Sequence, residues 1–232
     1  MRLSLAAAAR LFSALVLIFA MLQAGLARER GPRVEVVCPA PPIPVKVEDK
    51  QVLVYELHVT NFDTVPLTLK RLEIFSDSDR SRPLKTIADA ALSAIMTEAG
   101  TVSGAKDSQT IGAAKRAVIF LWIEIGLDQR TPASLSHRMV FVAGVPSEGS
   151  ALTETTLEDF PVAVRQDAVL LLSPPFAGGV WLAGDGPSDD SGHRRSIFAI
   201  DGHIYSPERF AIDWVKVGPN GDSQDGTTRN EN

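Results

Sequence analysis

From Gln51 to Asn61, Leu53, Tyr55, Leu57 and Val59 alternate with Val52, Val54, Glu56, His58 and Thr60. Period two predicts a β-strand with one more apolar face. Asn61-Phe62-Asp63 opens a turn that Val65-Pro66 closes. Leu67–Phe75 is a second strand, and the two read as a hairpin. The polar run Ser76-Asp-Ser-Asp-Arg-Ser-Arg-Pro83 is a loop. Between Thr86 and Ala99 the spacing changes: Ile87, Ala91, Ala94, Ile95 and Glu98 recur at helical intervals. Thr86 followed by Asp89 has the form of a capping box, and Gly100 is a stop signal, so one short helix is expected.

Residues 100–114 are rich in Gly, Ser, Thr and Ala and read as loop. Ala117–Ile125 is almost unbroken apolar sequence, which suits a central strand buried on both faces. Ser134–Ala143 alternates again, with Thr153–Val164 as its pairing partner, and Val169–Leu172 and Val180–Leu182 are short strands. Five to seven strands between about 34 and 165, with one helix crossing over, give the pattern of an immunoglobulin-like β-sandwich in a mainly β chain. From Ser173 onward the sequence turns to Pro, Gly, Asp and Ser. It then offers a strand-like Ser196–Ile200, the turn Asp201-Gly202, and Arg209-Phe-Ala-Ile-Asp-Trp-Val215. The tail, Asn220–Asn232, has no apolar anchor, so the strand near Phe210–Val215 is expected to stay unpaired, an aggregation-prone edge.

The first 27 residues alter the setting. Arg2 and Arg10 precede the apolar run Leu11–Leu22, and Ala24-Gly-Leu-Ala27 ends in small residues. That is the layout of a cleaved signal peptide. The run is shorter than a spanning helix requires, so a secreted or periplasmic protein without a stable membrane anchor is expected. Residues 28–50, with Cys38-Pro-Ala-Pro-Pro-Ile-Pro-Val, form a Pro-rich extended entry to a sandwich over 51–165. The formal charge is −5, and the only basic clusters are Lys70-Arg71, Lys115-Arg116 and Arg194-Arg195. With no basic stripe, a nucleic-acid partner is excluded. Cys38 stands alone, so the fold has no internal disulfide. It reads as a small apolar residue at a strand end, the alternatives being a lipid anchor, an intermolecular bridge or a nucleophile.

The chain has four histidines. His58 reads as a solvated strand residue, His137 as a core-edge residue and His203 as a turn flank. His193, between a Gly/Asp/Ser loop and Arg194-Arg195, is open between a loop residue and a ligand. There is no His-Glu-x-x-His helix, no His-x-His pair and no Gly-x-Ser-x-Gly elbow. The loop Gly184–Gly192 lacks the Gly-Lys-Ser/Thr ending of a phosphate loop and the alternating aspartates of a calcium loop. Trp122, Trp181 and Trp214 read as buried packing residues, the alternative being a face that lines a ligand.

Gly179-Val-Trp-Leu-Ala-Gly-Asp-Gly-Pro-Ser-Asp-Asp-Ser-Gly-His-Arg-Arg195, followed by Arg209-Phe-Ala-Ile-Asp-Trp-Val215, resembles the entry to the peptidase domain of secreted lysostaphin-type zinc metallopeptidases. Tyr55-Glu-Leu-His-Val-Thr-Asn-Phe62 and Phe120-Leu-Trp122 are similar to the all-β domain that precedes it in those proteins. The resemblance implies zinc as cofactor in full-length relatives, peptide-bond hydrolysis, and cell-wall peptide or peptidoglycan as substrate. The family holds zinc with a His-x-Gly-x-Asp motif and a later His-x-His. Arg209-Phe-Ala-Ile-Asp213 aligns with the first motif: Asp213 fits the aspartate ligand, Arg209 replaces the histidine, and Ala211 replaces the glycine. His193 is then the candidate for the missing ligand. The His-x-His is not in the sequence, so residues 166–232 are expected to form a linker and a truncated peptidase start, inactive and without tightly bound zinc. The rival readings are a secreted sandwich that binds protein or glycan and, more remotely, a serine hydrolase.

Overall fold

The computed structural model describes residues 31–99, 109–144, 154–167, 171–219 and 221. The expected signal peptide, most of the 100–114 loop and nearly all of the polar tail lie outside the described residues. The chain is mainly β, with two antiparallel sheets facing each other across one core.

The first sheet takes β1 (Val34–Val37), β2 (Val45–Val47), β3 (Lys50–Asn61), β6 (Met96–Glu98) and β8 (Arg116–Gly126). Its order is β1-β3-β8-β6, with β2 also on β3. The second takes β4 (Leu67–Ser76), β5 (Lys85–Ala88), β7 (Thr110–Ile111), β9 (Ser134–Ala143) and β10 (Glu154–Ala163), in the order β10-β9-β4-β5, with β7 on the end of β4. With β1, β3, β4, β5, β6, β8, β9 and β10 read as strands A, B, C, C′, D, E, F and G, this is the immunoglobulin pairing of ABED against C′CFG. Leu53, Tyr55, Leu57 and Val59 of β3 and Ile119, Leu121 and Ile123 of β8 meet Leu69, Leu72 and Ile74 of β4 and Leu135, Met139 and Phe141 of β9 in one cluster. Full burial of each such side chain contributes about 1.5–3 kcal/mol.

The expected hairpin of Gln51–Asn61 with Leu67–Phe75 does not form. β3 pairs with β1, β2 and β8, and β4 with β9, β5 and β7, so the connection crosses from one sheet to the other. Asn61, fully buried, holds this corner. Its amide donates to the carbonyls of Val65, Ile111 and Gly112, and its side-chain oxygen accepts from the Asp63 N–H. A turn built on side-chain hydrogen bonds need not return the chain to the same sheet.

The expected helix over 86–99 shrinks to α1 (Ala90–Ile95). β-Branched Thr86 and Ile87 join β5 opposite Glu73 and Leu72, and Met96–Glu98 join β6. Asp89 has a positive φ and makes no side-chain cap, so the Thr86/Asp89 box is absent. The helix anchors through Leu92, while Ala91 and Ala94 face solvent. Its one-and-a-half turns carry the chain from the second sheet back to the first.

β3 was expected to have one wetter face, yet Val52, Val54, Glu56 and His58 are all buried. His58 is therefore not solvated, and burial lowers its pKa. His137 lies fully inside the core rather than at its edge. Its Nδ1–H donates to the Phe160 carbonyl at 2.9 Å, which leaves Nε2 to accept the Tyr55 hydroxyl at 2.7 Å. Tyr55 and His137 thus bridge the two sheets. Burial depresses the imidazole to about 4, and the ring is neutral over the ordinary pH range. Cys38 follows β1, half-buried against the core. Burial, with Glu56 nearby, pushes its thiol up to about 12, so it offers no thiolate nucleophile at neutral pH.

Candidate functional site

Beyond the sandwich, β11 (Val180–Asp185) pairs antiparallel with β14 (Asp213–Val217), with Val180 opposite Val217 and Asp185 opposite Asp213. The strand expected to be unpaired therefore has a partner upstream in the chain. Between them come a second, four-residue helix, α2 (Gly192–Arg195), and a hairpin of β12 (Phe198–Ile200) with β13 (His203–Tyr205). Asp201 and Gly202 turn the hairpin with positive φ at both positions, the geometry that an Asp-Gly pair tolerates best. His203 flanks that turn as expected. Leu171 and Leu172 lie outside any strand; the rest of that expected strand falls outside the described residues.

The ribbon carries an aromatic cluster. Phe176 stacks on Trp181 with ring centres 4.0 Å apart and meets Trp214 edge-on at 5.1 Å. Trp122 and Trp181 are only part-buried and Trp214 is exposed, so the expectation that all three are buried packing residues does not hold.

His193 and Asp213 come together. Ser191 caps α2, its side chain accepting the Arg194 N–H at 3.0 Å, and this turn presents His193 toward β14. His193 Nδ1 donates to the Ala211 carbonyl at 3.2 Å, and Nε2 lies 3.3 Å from Asp213 Oδ2. The Ala211 carbonyl raises the imidazole pKa most, and Asp213, Asp185 and Glu208 add to the rise. An Nδ1–H held by a main-chain carbonyl fixes the tautomer and aims Nε2, the arrangement typical of metal-ligating and proton-handling histidines. A neutral His193 would offer its Nε2 lone pair beside an exposed carboxylate; a protonated one forms an ion pair with it.

Both donors have the chemistry zinc prefers, but the set is incomplete: among the described residues no group of three His, Cys, Asp or Glu side chains could hold a metal ion. Zinc hydrolysis depends on a firmly held ion that polarises a carbonyl and acidifies its water. A catalytic site uses three protein ligands, and two do not supply such a site.

Arg209, at the position where the resemblance expects histidine, points elsewhere. Its Nε donates to Glu56 Oε1 at 2.8 Å and its Nη2 to Glu56 Oε2. Arg194 comes to the same carboxylate through Nη1, and its Nη2 reaches the carbonyls of Tyr55 and Leu121 at 3.1 and 3.2 Å. Glu56 is 1% exposed and Arg194 0%. The guanidiniums of Arg194 and Arg195 lie 5.2 and 4.8 Å from the Phe120 ring centre, a cation–π stack on β8. This explains the burial of Glu56 and Phe120 on the outer face of β3 and β8. Sequence reading missed the triad. The one signal was Glu56, a carboxylate inside an otherwise apolar strand, which calls for a partner.

No family model matches the chain, and no curated protein matches it. Among solved structures, the X-ray structure of the Northeast Structural Genomics Consortium target SoR45 is similar at 12% identity over 64% of this chain and 96% of that chain, with a TM-score of 0.35. A likeness at that level leaves the functional reading to the site geometry.

Proposed function

We propose that this chain is the leading part of an exported lysostaphin-type zinc metallopeptidase: a β-sandwich followed by the opening strands of the peptidase unit. Its target class would be peptide bonds, with cell-wall peptidoglycan the substrate the resemblance implies. The observation that carries the reading is the pairing of His193 with Asp213 on the segment that bears the resemblance. Two residues 20 positions apart, one of them replacing the family's usual histidine, converge at 3.3 Å with the histidine tautomer set by Ala211. On this reading the pair is half of a metal site, and the remaining ligands would come from a His-x-His that the sequence lacks. The described residues alone would then bind zinc weakly and hydrolyse nothing.

Zinc titration followed by NMR of the histidine side chains tests this. The expected result is a zinc-dependent shift of the His193 signals, abolished in Asp213→Ala, with no metal retained after dialysis. A His193 ring indifferent to zinc would remove the metallopeptidase reading.

A second reading, a module that binds protein or glycan, draws on another observation. Val180, Leu182, Phe198, Ile200, Phe210 and Trp214 are all exposed on the C-terminal segment. Val180 and Leu182 share one face of the ribbon, and exposed apolar side chains grouped in this way are a common mark of an interaction surface. Binding of peptidoglycan fragments that is unaffected by Asp213→Ala and independent of zinc would favour it.

A further inference from the structure

We infer that Glu56 is a positioning residue for the His193–Asp213 pair: from the outer face of the sandwich it fixes, through Arg194 and Arg209, the two backbone segments whose approach creates that pair. This rests on the reading of His193 and Asp213 as the donors of the candidate site.

The argument is one of chain connectivity. Arg194 directly follows His193 in α2, so the guanidinium gripped by Glu56 and the imidazole presented to β14 stand on consecutive residues. Arg209 lies in the turn 206–211, where its N–H donates to the Ser206 carbonyl and the Ala211 N–H to the Glu208 carbonyl. Ala211 is two residues beyond Arg209 and supplies the carbonyl that orients His193; Asp213 follows two residues later. Both ends of the His193–Ala211 hydrogen bond are thus tied, within two residues, to the same carboxylate. The tie is rigid. Glu56 sits in the centre of β3, opposite Phe120 in the ladder with β8. Arg194 is further held by two main-chain carbonyls of that same sheet.

Stability alone does not account for such a triad. A buried Arg–Glu–Arg cluster often contributes less than well-packed apolar residues of similar volume, because desolvation offsets the attraction. Its distinctive property is directional: two forked guanidiniums on one carboxylate admit a single arrangement, whereas greasy contacts allow sliding. The site side of the molecule needs that constraint. β11 and β14 form only a two-stranded ribbon, which is marginal in water unless something anchors it.

The test uses the metal-free protein, so its outcome is independent of zinc. In wild type, two hydrogen-bonded imidazole Nδ1–H signals are expected by NMR: His193, donating to Ala211, and His137, donating to Phe160 in the core. In Glu56→Gln, which keeps the shape and removes the charge, the His193 signal should be lost or shift to that of a solvated histidine while the His137 signal persists. Arg209→Met, which leaves the Arg194–Glu56 pair in place, should weaken the His193 signal in the same sense, and Arg209→Lys should restore it in part. A His193 signal unchanged in either Glu56→Gln or Arg209→Met, with the core signal intact, overturns the inference. Loss of the His137 signal in both variants also overturns it, since Glu56 would then support the sandwich itself. Failure of zinc to perturb His193 in the wild type, with these results as expected, would instead count against the metallopeptidase reading alone.

Discussion

Single residues carry most of what is unusual in this chain, and burial sets their behaviour. His137 is neutral in the folded state down to about pH 4, against 6.5 for an unburied imidazole. Its folded pKa is depressed, so between those values the unfolded chain binds the extra proton, and stability falls as pH drops from about 6.5 to about 4. A shift of that size corresponds to a loss on the order of 3 kcal/mol. His58, also lowered by burial, acts in the same direction. His193, raised by Ala211 and its carboxylate neighbours, acts in the opposite one: its contribution is present at low pH and is lost as pH rises through its folded value. Urea unfolding at pH 7 and pH 4.5 should show the net loss, and His137→Gln should flatten it. Tyr55→Phe strands the buried Nε2 without its donor and should cost about 1–3 kcal/mol in the same assay. The sequence placed His137 at the core edge, short of its full burial, and only the family resemblance set His193 beside Asp213. It did not show that Tyr55 reaches His137 across 82 positions, because hydrogen bonds between sheets leave no local spacing.

At the scale of elements, alternation and apolar runs located the long strands well. β3, β4, β8, β9 and β10 all stand where the pattern put them, because a ten-residue strand repeats its signal five times. Short elements were read less well. Thr86–Ala99 looked helical by spacing, but the two sheets drew its ends into β5 and β6. The 61–67 corner looked like a hairpin because turn residues announce a reversal and not its destination. Asn61 makes the destination, and Asn61→Ala should destabilise the fold by at least ~1–3 kcal/mol, since it leaves buried carbonyls of β7 and its neighbours without a donor. Phe120→Ala, which removes the ring under Arg194 and Arg195, should cost about 3–5 kcal/mol. Thermal or chemical denaturation of each variant measures both.

For the whole molecule, the decisive contact is the one that bends the C-terminal segment back onto the first sheet. The periodicity of β3 suggested a wet outer face. That face is dry because residues about 140 positions later cover it, a relation that no window along the chain can reveal. If Glu56 couples the two parts, unfolding followed by tryptophan fluorescence, to which Trp181 and Trp214 contribute from the ribbon, should coincide with unfolding followed by circular dichroism of the sheets. Glu56→Ala leaves two guanidiniums facing each other without their carboxylate. It should lower stability by roughly 3–5 kcal/mol and separate the two transitions. No helix among the described residues is long and apolar enough to cross a membrane.

The most direct test of the functional account is zinc binding at His193 and Asp213, measured by competition with a chromophoric chelator on the chain from residue 28 onward, beside His193→Ala and Asp213→Ala. The account predicts one weak site per chain, displaced readily by the chelator and abolished by either substitution. Zinc binding that survives both substitutions, or a wild-type chain that takes up none, would contradict it.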